Sequence, residues 1–457
     1  MLASGLRGVR GRFHRDAHDL RHDRGADQRL RIDRSQVVRA STVFNRLLNL
    51  VGVWVTGVEF VNDDRVVYVD VRLRRRRLAC PHCGWTTAAR HNWQPQPSTW
   101  RALDFGVWQV RVRCRLRRLA CRPCRTVVVE AVPFARHRSR HTRDFEDLVA
   151  WLVAHTDRTA VTRLCRINWR TTGAIVARVV ADELDDSRLD ELYDIGVDEV
   201  AYRRQHEYLT LIADHDSGTI VWADEGRDSA TLTRFFDDLG PDRAGQLQAI
   251  SIDMSAAYLK AIAEHDHVDA TVCFDPFHVA QLAGKALDAV RRGYWNELRD
   301  RAGNRDARRF KHARWALLKR PEDLSDTQRD QLAAIKRAGG KVWRAYELRE
   351  ALRAIFDPDL TPGEAAVLLD RFISWAQRSR LESCVQLQRT IRKHRAGILA
   401  ALELGINNGR SEGLNRKVRS ITSRAFGFHS ADALAAMIML CCGPVQLQLP
   451  HDNRSNQ

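Results

Sequence analysis

Four of the ten cysteines form two Cys-x-x-Cys knuckles, Cys80-Pro81-His82-Cys83 and Cys121-Arg122-Pro123-Cys124. Each knuckle offers two thiolates at the bite that tetrahedral zinc favours, so the pair supplies a four-sulfur site. The 37 residues between Cys83 and Cys121 leave room for a hairpin. Cys114, His82 and His91 could substitute as ligands, and reduced core cysteines or a redox pair are the competing readings. A zinc of this kind stabilises a small fold and does no chemistry itself. The second set is acidic. Asp198 closes the run Ile195-Gly-Val-Asp, and Asp253 closes Ala249-Ile-Ser-Ile-Asp. Two convergent carboxylates can hold magnesium, which takes hard oxygen ligands and keeps its waters for substrate phosphates. A two-metal site suits in-line displacement at phosphorus. A third carboxylate is expected from a later helix.

Several kinds of element must position these groups. The Val-rich text from Val53 to Arg74 and the alternation from Val107 to Leu116 read as strands leading into the two knuckles, with 126–141 as a link. Helical spacing begins around Thr42, with Phe44, Leu47, Leu48 and Val51. Residues 142–184 read as three helices with a tight break at Asn168, which matches a helix-turn-helix; a generic helical spacer is the bland alternative. Trp169, Arg170, Thr171 and Thr172 open the last helix, where base edges are met, and Arg178 is placed for a phosphate. After Asp185 the period shortens. Ile195–Asp198, Tyr208–Ala213 and Thr219–Trp222 are successive strands, with an Asp-Ser-Gly hairpin turn at 216–218. A helix over Ser229–Leu239 and strands over Ala249–Asp253 and Thr271–Phe274 follow. In a ribonuclease H-like sheet the first and fourth strands are neighbours, which would bring Asp198 and Asp253 to one edge. From Val279 to Leu404 the chain is helical and charged, punctuated by Pro321, Gly339-Gly340 and Pro358 to Pro362, and a last helical region spans Ser411–Leu440.

Charge says what these elements meet. The formal net charge is +17, from 74 basic and 57 acidic residues. Such a balance favours a polyanion, nucleic acid before an anionic membrane surface. Residues 71–125 carry fourteen Arg and one Asp, whereas 182–275 carry 23 acids and seven bases. Arg75, Arg76, Arg77, Arg117 and Arg118 flank the cysteine ligands and present a cationic surface to DNA. The longest apolar run, Ala433 to Cys442, is too short to cross a bilayer, and the Arg-rich start lacks the apolar core of a signal peptide. A cytoplasmic protein without a membrane partner is the expectation.

In order and number, these blocks resemble the bacterial insertion-sequence transposases of the ISL-three type, from about Thr42 to about Pro450. Cys80-Pro-His-Cys-Gly and Cys121-x-x-Cys-Arg-Thr, followed by Glu130, look like that family's N-terminal zinc finger. Ile195-Gly-Val-Asp198-Glu and Ser251-Ile-Asp253-Met-Ser with Tyr258 resemble the strands bearing its catalytic aspartates. Phe274-Asp275-Pro-Phe-His278-Val resembles the block after them. Asn408-Gly-Arg-Ser-Glu412-Gly-Leu-Asn415-Arg-Lys417 resembles the block bearing its glutamate.

The resemblance implies a DDE transposase in which Asp198, Asp253 and Glu412 bind two Mg2+ ions, with Mn2+ as a possible substitute, and a structural Zn2+ sits in the cysteines. Asp275 and His278 would lie near the catalytic site, Asp275 being the rival third ligand. Asn415, Arg416 and Arg419 follow Glu412 at helical spacing and would steady DNA phosphates. The implied fold is multidomain α/β: a zinc-finger module, a helix-turn-helix and a ribonuclease H-like mixed sheet interrupted by a large all-helical insertion. The expected boundaries are 1–41 for a disordered tail (or a start codon placed too far upstream), 42–130 for the zinc module and 142–184 for the helix-turn-helix. The catalytic core takes 190–278 and 407–446, the insertion 279–406 and a polar tail 447–457. The implied partners are the double-stranded DNA of terminal inverted repeats and target, with the protein a homodimer or larger in a synaptic complex at the bacterial nucleoid. The alternatives are an inactive DNA-binding regulator of the same modules, or a nuclease that cuts without joining.

Overall fold

Alternating valines build the N-terminal unit. β1 (Val53–Val61) and β2 (Val66–Leu73) pair antiparallel, and Val67, Val69 and Val71 of β2 all point into one core, as the period of two requires. β7 (Gln109–Cys114) runs parallel to β2 and antiparallel to β6 (Ser98–Arg101), giving the order β1-β2-β7-β6. α1 (Ala40–Leu48) buries Phe44 in this core, while Leu47 and Val51 are exposed. The knuckles sit on small sheets beside it: β3 (Leu78–Ala79) with β4 (Thr86–Thr87), and β5 (Asn92–Trp93) with β8 (Arg117–Cys121) and β9 (Thr126–Val129). The stretch expected to be a link therefore opens with a strand, because β8 offers it an antiparallel partner. The computed structural model describes residues 39–203, 207–302, 307, 310, 312–406, 409–425, 428–449 and 452; most of the expected N-terminal tail lies outside them.

Three short helices follow, each started by a side-chain cap. α2 (Arg143–His155), α3 (Arg158–Cys165) and α4 (Trp169–Glu183) are capped by Thr142, Asp157 and Asn168, whose side-chain oxygens accept a backbone N–H two or three residues into the helix. α3 ends on Arg166 at φ 53°, the left-handed residue that turns the chain into α4.

The central sheet has the order β12-β11-β10-β13-β14, from β10 (Asp194–Arg203), β11 (Glu207–Asp214), β12 (Ile220–Glu225), β13 (Ala249–Ile252) and β14 (Thr271–Phe274). The first three strands are antiparallel, and β13 and β14 run parallel to β10. The expected adjacency of the first and fourth strands is therefore present. On one face, Ile195, Val197, Ile250 and Ile252 share a core with α5 (Ser229–Leu239), α7 (Ala256–Glu264) and α8 (Pro276–Ala302). On the other, Val200, Tyr202, Leu209 and Leu211 share a core with α2, α4, α15 (Gly409–Arg424) and α16 (Ala431–Cys442). The three-helix unit is thus packed onto α16 and the sheet, not tethered apart.

Between β14 and α15 the structure is helical. α9 (Arg314–Leu318), α10 (Asp326–Ala338), α11 (Gly340–Ala354), α12 (Pro362–Gln377), α13 (Glu382–Lys393) and α14 (Arg395–Glu403) extend the first core. Ser325 with Gln328 and Thr361 with Glu364 form capping boxes that start α10 and α12. No helix among the described residues is long and apolar enough to cross a membrane.

Candidate active site

One register organises the acidic residues. β10 pairs with β13 through Asp194↔Ala249, Ile195↔Ile250 and Gly196↔Ser251, and β13 pairs with β14 through Ala249↔Thr271 to Ile252↔Phe274. Continuing both registers places Asp198, Asp253 and Asp275 in one row across three neighbouring parallel strands. Asp198 and Asp253 are half-buried, and backbone amides orient them: Glu199 N–H donates to Asp198 Oδ1 at 2.7 Å, and Ser255 N–H to Asp253 Oδ1 at 2.9 Å. Asp198 alternates with Val197, so it shares the face of Val200 and Tyr202, the face that α15 covers. Glu412 lies in the first turn of that helix; its side chain and that of Asn415 are outside the described residues. Leu414, Val418 and Ile421 anchor α15, leaving Arg416 and Arg419 exposed.

Asp275 is buried. Its Oδ1 accepts from Phe277 N–H at 2.8 Å, and its Oδ2 is 2.9 Å from His278 Nδ1. The Asp275 carboxylate, as acceptor and as charge, holds the His278 pKa above its ordinary 6.5 against the effect of burial, and the charges of Asp198 and Asp253 add to it. His278 therefore senses both aspartates, which puts the pair and the Asp275–His278 couple in one site. Asp198, Asp253 and Asp275 do not draw together within 4.8 Å; among the described residues only the cysteines form so tight a cluster.

That cluster is Cys80, Cys83, Cys121 and Cys124. Cys80 Sγ and Cys124 Sγ are 3.9 Å apart, Cys83 Sγ and Cys121 Sγ 3.5 Å. Ligands about 2.3 Å from a tetrahedral zinc have sulfur–sulfur edges of about 3.8 Å, so the donor set could hold that ion. Both spacings far exceed the roughly 2.05 Å of a disulfide. Burial pushes the Cys80 thiol up, but hydrogen bonds from the His82 and Cys83 amides and the neighbouring sulfurs more than offset it and bring it down to about 7. Cys114 packs instead in the sheet core, and His82 and His91 are exposed.

The basic residues divide into two groups. Arg117 is committed internally: it pairs with the buried Glu130 at 2.6 Å and donates to the carbonyls of Arg75 and Arg76. Arg75 donates to the Ala131 carbonyl, and Arg118 is half-buried in β8. Arg76 and Arg77 are exposed. In the three-helix unit, Trp169 and Arg170 are exposed and Thr171 half-buried, with the Arg158 guanidinium 5.1 Å above the Trp169 ring. Thr172 is fully buried and donates to the Asn168 carbonyl at 3.1 Å, so it does not face a base. Arg178 donates to the buried Glu146 at 2.6 Å, so its guanidinium holds α4 to α2 and is not offered to a phosphate. Helical spacing alone does not say which face meets a partner, and here Thr172 packs inward while Arg178 pairs with Glu146.

Sequence reasoning also missed a polar knot behind the aspartates. Glu199, Thr210 and Tyr258 meet on the face opposite Asp198. The available signal was the Asp198-Glu199 pair itself, since alternation must send one of two adjacent strand carboxylates into the other core.

Known proteins resemble the chain over most of its length. A family profile described as "Transposase", of the ISL3 DDE type, matches residues 195–438, and one described as "Helix-turn-helix domain of transposase family ISL3" matches 130–180. Over 421 residues the chain is 41% identical to proteins from two strains of Mycobacterium tuberculosis, each described as "Transposase for insertion sequence element IS1557"; the match covers 87% of this chain and 94% of theirs. It is 27% identical over 399 residues to the "Transposase for insertion sequence element IS1001" of Bordetella parapertussis, covering 85% of this chain and 95% of that one.

Proposed function

Because the chain belongs to the ISL3 family of insertion-sequence transposases, we propose that Asp198, Asp253 and Glu412 are its catalytic triad and hold two magnesium ions, for which manganese can substitute. The observation that carries the assignment is the shared register of Asp198 and Asp253 on neighbouring strands, with the helix of Glu412 packed on the face of Asp198. Hard carboxylate oxygens, oriented by backbone amides and half-screened from water, suit that ion. When bound, the metal pair supplies activation of the attacking hydroxyl and neutralisation of the leaving oxygen. The protein's own residues do the rest. Asp198 and Asp253 are held in place by the Glu199 and Ser255 amides. Asp275 orients His278 and favours its protonated form beside the reacting phosphate. Arg416 and Arg419 neutralise the flanking phosphates.

The strand order three-two-one-four-five, with the last two strands parallel to the first, supports a ribonuclease H-like core over 190–278 and 407–446, interrupted by the helical insertion at 279–406. The cysteine cluster carries a structural zinc in a DNA-binding module over 42–130. That module, through Arg76 and Arg77, and the helix-turn-helix over 142–184, through Trp169, Arg170 and Thr171, bind the element's terminal inverted repeats. The triad then hydrolyses a phosphodiester to free a 3′ hydroxyl and directs that hydroxyl at target DNA. Two ends must be held together, so the working form is a homodimer or larger synaptic assembly. Its substrate places it on the nucleoid in the bacterial cytoplasm.

The test uses full-length protein, a precleaved duplex carrying the terminal repeat found beside its gene, a supercoiled target and Mg2+. Joined product is expected, and its loss with EDTA. Cutting of uncleaved ends without any joining would mark a nuclease only. Binding with neither step would mark a regulator.

A further inference from the structure

The triad assignment leaves unexplained a chain of buried hydrogen bonds directly behind it. Thr210 is fully buried on β11 opposite Glu199 in the register. Its hydroxyl donates to the Gly226 carbonyl at 2.8 Å, and its Oγ1 lies 3.0 Å from Tyr258 Oη. The Glu199 side chain neighbours the same tyrosine hydroxyl. Tyr258 is 1% exposed and stands in the first turn of α7, five residues after Asp253. The turn between them is closed by the Ser255 N–H bond to Asp253.

These positions make one mechanical unit. Glu199 is the neighbour of Asp198 on β10, and Tyr258 fixes the helix that follows Asp253. Tyr258 meets Thr210, and Thr210 stands opposite Glu199 in the register, so this contact ties the strand of Asp198 to the helix that follows Asp253 from the rear. A hydrophobic residue at 258 would fill the same space without that tie. Groups behind metal-holding carboxylates commonly tune the site by fixing the geometry of the ligands.

We propose that Tyr258, through its hydroxyl contact to Thr210, is a positioning residue that sets the separation of Asp198 and Asp253 for the metal pair. The inference rests on the assignment of those two aspartates as ligands. It predicts that Tyr258→Phe, which keeps the ring in its core, lowers kcat for cleavage of the terminal-repeat duplex about tenfold and raises the Mg2+ concentration for half-maximal rate. KM for DNA stays unchanged, because no DNA contact is lost. Thr210→Val behaves like Tyr258→Phe, Thr210→Ser restores the wild-type values, and the double variant Tyr258→Phe/Thr210→Val is no worse than either single one.

A Tyr258→Phe protein with wild-type kcat and Mg2+ dependence would overturn the inference, as would a change in melting temperature alone. Strictly additive losses in the double variant would do so too. Asp253→Asn, assayed in parallel, separates the two ideas. If it cleaves normally, the ligand assignment itself fails; if it is inactive while Tyr258→Phe is normal, only the positioning role fails.

Discussion

His278 is the side chain on which the charges of the site meet. The adjacent Asp275 carboxylate raises its pKa above 6.5, burial opposes this, and Asp198 and Asp253 reinforce it. A raised histidine pKa stabilises the fold fully below the unfolded value, and that contribution is lost as pH rises through the folded value. In metal-free protein, His278 should therefore titrate above 6.5 by NMR, and Asp275→Asn should move it towards that value. An unchanged titration in Asp275→Asn would show that Asp275 is not the cause. His141 runs the other way. Burial, with Arg178 and Arg101 nearby, pushes it down to about 4, opposite in direction to His278. Two histidines of one chain thus shift in opposite directions, one beside arginines and one beside carboxylates.

At the scale of elements, α14 meets β14 more closely than any side chain permits. A Cβ at Gly397 would stand 2.7 Å from the Phe274 ring and from the Val272 carbonyl. Gly397→Ala should therefore force α14 off the strand that ends at Asp275, costing about 1–3 kcal/mol in denaturant unfolding. Gly363→Ala, in an exposed turn of α12 with nothing near its Cβ, should be neutral or slightly stabilising. Equal stabilities for the two would contradict the packing account. Local rules made much of this layer legible. Ser229–Leu239 and Thr271–Phe274 have the bounds that their apolar spacing and flanking breakers predict, and Gly339-Gly340 separates two helices as expected. α7 is a miss of a different kind: Tyr258, Ala261 and Ile262 do follow the helical spacing i, i+3, i+4, but over only nine residues between two strands. The fusion of α2 and α4 with α16 was not legible either. It depends on contacts between residues more than 200 apart in sequence, which no local period encodes. The third carboxylate illustrates the same limit. Glu412 is named through resemblance alone; Asp198 and Asp253 read as strand-end aspartates, a common turn-forming position, and β10 in fact runs on past Asp198 to Arg203.

Across the whole molecule, the charge of +17 is sorted by layer. The Arg-rich stretch at 71–125 builds the cysteine module, where Arg117 and Arg75 brace the fold and Arg76 and Arg77 face outwards. The acidic segment at 182–275 builds the central sheet with its aspartate row, an environment that suits cations better than a basic surface would. On the proposed function, the first part grips DNA and the second holds the metal that acts on it. The most direct test measures Mg2+-dependent cleavage of the terminal-repeat duplex by full-length wild type, Asp198→Asn, Asp253→Asn and Glu412→Gln, with DNA affinity measured on the same samples. The account predicts cleavage reduced at least about a hundredfold in each variant with affinity unchanged. Wild-type cleavage by any of the three would contradict it.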